Sequence, residues 1–79
     1  MTIMTAKAAL GSEIKERRIA AGYSRRRFSL VFGMSRQRVM DIERGNCNPT
    51  IDTLQEFADA LEVDIFELFK CASSRLEGK

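Results

Sequence analysis

The 79-residue sequence has no histidine and only two cysteines, Cys47 and Cys71. Without imidazole, and with two isolated thiols, it offers neither a metal-ligand spacing nor a disulfide framework, so the thiols are expected to be reduced and no metal or cofactor is expected. Enzymatic chemistry lacks support on similar grounds: a phosphate-cradling glycine loop is missing, and no acid and base are paired for catalysis. Long apolar runs are missing too. The longest falls far short of the roughly 18 to 20 residues of a membrane span, and the start lacks the basic, then apolar, then small-residue order of a secretory signal. A cytoplasmic chain without a membrane partner is expected. Internal repeats and low-complexity segments are also absent.

What is present is one small domain's worth of residues, with a hydrophobic share of 44%, enough for a single core and too little for two. The net charge of +2 is uninformative until it is divided. Residues 1 to 46 carry ten Lys/Arg against four Asp/Glu, whereas residues 47 to 79 carry three against seven. The basic half is therefore the candidate anion-binding half.

Within it, Ser24 to Gly45 reads as two short helices joined by a turn at Gly33. Both helix starts break a rule. The N-terminus of a helix is partially positive and favours acidic residues, yet Ser24, a good N-cap, is followed by Arg25, Arg26 and Arg27, and Ser35, a second good cap, by Arg36, Gln37 and Arg38. Free backbone N–H groups and guanidinium groups thus converge twice, making two anion sites. Local rules are broken where function resides.

The other elements follow from periodicity and caps. Residues 1 to 9 read as a loose N-terminal arm that can extend the first helix, which runs from about Leu10 to Ala21 before Gly22. On its apolar stripe of Leu10, Ile14 and Ala21 stands Arg18, which either snorkels into water or needs a buried partner. Glu43, toward the inward side of the third helix, is the candidate. Helix two buries Phe28 and Phe32. Helix three turns Val39 and Ile42 inward, which sends Gln37, Asp41 and Arg44 outward. The segment GNCNP is a turn, Thr50 caps a fourth helix, and Ile51, Leu54, Phe57, Ala58 and Leu61 form that helix's apolar face. Asp64 and Glu67 have capping-box form for a fifth helix ending near Lys70, and residues 71 to 79 read as a fraying tail. The fifth helix carries more apolar surface than one side can bury, so Ile65, Phe69 and Leu76 are candidates for an interface with a second copy, the alternative being that they close the core. For Phe66 closure of the core is favoured.

The ordered set Leu10-Gly11, Ile14, Arg18, Gly22, Ser24, Gly33-Met34-Ser35, Ile42-Glu43-Arg44-Gly45, Pro49, Leu54, Ala58 and Leu61 resembles the Cro and phage-repressor type of helix-turn-helix protein, often called XRE-like. The resemblance covers about Leu10 to Phe69. It implies an all-α, five-helix lambda-repressor-like domain over residues 10 to 70, with helix three in the major groove of double-stranded DNA and helix two across the backbone. On that resemblance Arg36, Gln37 and Asp41 fall at base-reading positions, with Arg38 a further candidate on the flank. Arg25 falls at a phosphate-contacting position, as do Arg44 and Asn48 after the reading helix. The capped starts add Ser24, Ser35 and Arg26 to the phosphate set. Related repressors have a buried ion pair that maps onto Arg18 and Glu43. Two departures stand out: the Arg25 to Arg27 run is more basic than in many relatives, and Glu62 stands where glycine commonly ends helix four, at a cost of up to ~1 kcal/mol if a left-handed conformation is kept.

The function implied is a DNA-binding transcriptional regulator acting as a homodimer on a palindromic operator, including its own, without a small-molecule effector. Phage Cro-like repressors and restriction-modification controller proteins both fit. The alternative is an antitoxin-like module whose main partner is another protein.

Overall fold

The computed structural model describes residues 5 to 76. The first four residues of the expected arm and the last three of the expected tail lie outside the described residues. Five helices follow one another: α1 (Ala6–Ala20), α2 (Arg25–Phe32), α3 (Arg36–Arg44), α4 (Ile51–Ala60) and α5 (Ile65–Leu76), and no strand occurs among the described residues.

Hydroxyl caps set four of the helix starts. Thr5, Ser24, Ser35 and Thr50 each hold extended backbone and accept a hydrogen bond from the backbone N–H three residues on, satisfying one of the donors that every helix start leaves unpaired. Thr5 moves the start of α1 ahead of the expected Leu10. At the far end, α5 runs on past Lys70 to Leu76. It is tied down there by Arg75, which donates to Glu13 at 3.0 Å and to Glu16 at 2.8 Å on α1.

The core is formed by Ile14, Phe28, Val39, Ile42, Leu54, Phe57, Ala58, Ile65 and Leu68. Phe28 and Phe57 stack with centroids 5.9 Å apart, and Tyr23 and Phe32 extend the cluster edge-on and tilted. Ile65 is therefore a core residue, and its assignment to an interface is corrected: Ile65, Leu68 and Ala72, at i, i+3 and i+7, are the stripe α5 buries. Phe66 is corrected in the opposite sense, being 75% exposed. Ile51 at the first position of α4 is exposed rather than part of its buried face.

Two backbone positions fix how the helices approach. Gly11 lies where α1 crosses the last turn of α3. A Cβ there would overlap the carbonyl oxygen of Ile42 and lie 2.7 Å from that of Glu43, so only glycine permits the crossing. After α4, Glu62 adopts φ 57°; its N–H donates to Asp59 O and that of Val63 to Ala58 O, the bonding of a glycine-type helix end made by a residue that pays for the left-handed geometry.

Candidate nucleic-acid interface

Helix α2 ends at Gly33, which is left-handed at φ 66°, and α3 starts three residues later, at Arg36. The short turn brings the two serine-capped starts to one side of the molecule. Arg26, Ser29 and Leu30 of α2 line one open groove together with Met34 of the turn and Arg36 of α3. The two cationic helix starts thus border a shared concavity. A second concavity, lined by Phe32, Met34, Glu56, Asp59 and Ala60, is acidic and belongs to the other half of the charge distribution.

The arginines fall into two groups. Arg17, Arg18, Arg25 and Arg75 are each bound to a carboxylate. The other five, Arg26, Arg27, Arg36, Arg38 and Arg44, form no ion pair among the described residues and are exposed. All five lie on α2 and α3. For Arg17 and Arg75 the pKa is lowered by partial burial, and this is outweighed by hydrogen bonds to Cys71 and Glu13 for Arg17 and to Glu13 and Glu16 for Arg75 and by the negative charge of those carboxylates, so the net direction is upward and both stay charged.

Arg18, in the last turn of α1, meets Glu43 of α3. Arg18 Nε donates to Glu43 Oε2 at 2.6 Å and Arg18 Nη2 to Oε1 at 3.1 Å, while Nη1 donates to the Tyr23 carbonyl at 2.7 Å. The fork is bidentate, with side chains 6% and 1% exposed. Sequence reasoning did not find that Glu43 also accepts from Arg25 Nε, at 3.0 Å. Arg25 is thus a half-buried strut between α2 and α3, with its Nε turned inward to Glu43 rather than free for phosphate. The spacing alone gave no signal of this, because the residues sit on different helices.

On the outward face of α3, Arg36 and Gln37 are exposed and Asp41 is half-buried. Gln37 Nε2 donates to Asp41 Oδ1 at 2.9 Å, an i,i+4 contact that the sequence could have signalled. Asp41 is paired with neither Arg38 nor Arg44 among the described residues. Arg38, also exposed, turns its Nη2 to Thr53 Oγ1 at 2.7 Å, beside the Thr50 cap of α4, and ties α3 to α4. Arg44 and Asn48 are exposed at and beyond the end of α3, and Ser24 and Ser35 are engaged as caps. On α5, Phe69 is half-buried against the core and Leu76 is exposed. Glu13, buried and bound to Arg17 and Arg75, is a structural site that the sequence did not reveal.

No match was found among curated proteins. The chain is 30% identical to the restriction-modification controller protein C.AhdI from Aeromonas hydrophila, over 77% of this chain and 92% of that one, with a TM-score of 0.71. The hypothetical transcription factor NHTF from Neisseria is 25% identical over 92% of this chain and 84% of its own, with a TM-score of 0.79. The clp gene regulator ClgR from Corynebacterium glutamicum shares the fold, with a TM-score of 0.86 at 19% identity over 95% of this chain and 96% of its own. A helix-turn-helix family model matches residues 14 to 68. With the five helices and the capped α2–α3 turn, that match places the chain in the helix-turn-helix family of the Cro and phage-repressor type.

Proposed function

We propose that the protein is a sequence-specific DNA-binding transcriptional regulator that acts as a homodimer on a palindromic operator, including one controlling its own gene. The observation that carries the reading is the sorting of the arginines: Arg17, Arg18, Arg25 and Arg75 are held by carboxylates, while Arg26, Arg27, Arg36, Arg38 and Arg44, all on α2 and α3, form no ion pair among the described residues. Guanidinium groups without a carboxylate partner at helix starts suit a polyanion, because they neutralise its phosphates and release the counterions condensed there. The likeness to a restriction-modification controller protein supports the same reading.

In this reading α3 enters the major groove. Arg36 reads the two acceptors of guanine, and Gln37 with Asp41 reads a neighbouring base. The capped starts at Ser24 and Ser35, with Arg26, Arg44, Asn48 and the outer nitrogens of Arg25, hold phosphates and set the register. A domain this size reads few base pairs, so specificity needs two copies on half-sites about 34 Å apart. Phe66, Phe69 and Leu76, at i, i+3 and i+10 of α5, supply the apolar face for the second copy.

Arg36→Ala tests the assignment. The ratio of specific to non-specific binding is expected to fall by about 1 to 3 kcal/mol at one base position; an equal loss on every sequence would make Arg36 a phosphate contact.

A further inference from the structure

Gln37 and Asp41 stand one helical turn apart on the outward face of α3, joined by the 2.9 Å bond from Gln37 Nε2 to Asp41 Oδ1. A carboxylate can only accept a hydrogen bond. The bond therefore fixes the polarity of the amide: its nitrogen faces Asp41 and its carbonyl Oε1 is left for other partners. No cation competes for the carboxylate among the described residues, since Arg38 is turned to Thr53 and Arg44 makes no ion pair.

The geometry points to Gln37 and Asp41 acting as one reading unit, in which Asp41 orients the amide of Gln37 and presents its own second oxygen. The unit offers two acceptors, Gln37 Oε1 and the second Asp41 oxygen, and keeps one N–H of Gln37 Nε2 as a donor. Facing the major groove, this acceptor-rich set matches a base that carries an exocyclic amino group, adenine with its N6 donor and N7 acceptor or cytosine with its N4 donor, over guanine and thymine, which present only acceptors there. This specificity rests on the proposal that α3 is the reading helix. An asparagine at position 41 removes the constraint, because it can donate as well as accept and lets the amide of Gln37 turn over.

The experiment uses the full chain and the DNA site it selects from a random pool. Binding is measured on duplexes altered one base pair at a time, for wild type, Asp41→Asn, Gln37→Ala and the double variant, with Asp41→Glu as the variant that keeps the carboxylate. The wild type is expected to favour an amino-bearing base at one position by about tenfold, within the range of a good base contact. Asp41→Asn and Gln37→Ala are expected to lose that preference at the same position. The double variant is expected to lose no more than either alone, and Asp41→Glu to retain the preference. Losses at different positions, additive losses, or an unchanged preference in Asp41→Asn would overturn the coupling while leaving the DNA reading intact. A wild type that selects no site would overturn both.

Discussion

Replacing Glu43 by alanine removes one carboxylate and leaves two guanidinium groups without their acceptor. The two are not equivalent. The Arg18 side chain is 6% exposed and bidentate, whereas that of Arg25 is 33% exposed and makes a single bond. Stranding a buried charge costs about 3 to 5 kcal/mol, while an ion pair reaching water contributes no more than ~1 kcal/mol. Against the ~4 to 12 kcal/mol expected for a domain of this length, Glu43→Ala is expected to remove a large part of the stability and lower Tm by at least ~12 °C, at about 4 to 8 °C per kcal/mol. Circular dichroism melts and urea titrations measure it. Arg25→Ala should cost no more than ~1 kcal/mol. The double variant Arg18→Met with Glu43→Leu should recover most of the loss, because an apolar pair of similar volume needs no counter-charge. A Glu43→Ala melt within ~3 °C of wild type (under about 1 kcal/mol by the same conversion), or an Arg25→Ala variant as unstable as Glu43→Ala, would refute the reasoning.

Three further outcomes are expected. Gly11→Ala must push α1 away from the carbonyls of Ile42 and Glu43, so it should destabilise by about 1 to 3 kcal/mol in the same melts. Glu62→Gly relieves the left-handed strain at φ 57° and should stabilise by about 0.5 to 1 kcal/mol, read as a raised urea midpoint. Phe66→Glu touches a side chain that is three-quarters exposed, so it should shift the mass measured by light scattering from dimer toward monomer while leaving Tm of the monomer unchanged; a dimer of unaltered affinity would remove α5 from the interface.

The parts of the fold legible in the sequence were those written in local chemistry. Ser24, Gly33, Ser35 and Gly45 bound α2 and α3 because caps and left-handed glycines act within a few residues. Thr5 lies in a stretch with no clear period, so the sequence allowed an extension of α1 into the arm without fixing where it starts. The end of α5 depends on Arg75 reaching Glu13 and Glu16, a contact between distant residues that no local signal encodes. In the run Ile65-Phe66-Glu67-Leu68-Phe69 consecutive apolar residues leave the inward stripe ambiguous, and packing against the core chose Ile65 and Leu68 over Phe66. At the candidate interface, periodicity alone identified the outward face of α3. It could not tell which arginines were engaged. Arg25 and Arg38 look like Arg26 and Arg36 in the sequence, and only tertiary contacts to Glu43 and Thr53 separate them.

The most direct test of DNA recognition by α3 is selection of bound sites from a random duplex pool by the full chain, followed by footprinting of the enriched sequence. The expected result is a palindrome whose half-sites lie about 34 Å apart, protected in the major groove, with binding that weakens steeply as salt rises. A pool that remains random through successive rounds, with no protected half-sites, would contradict it.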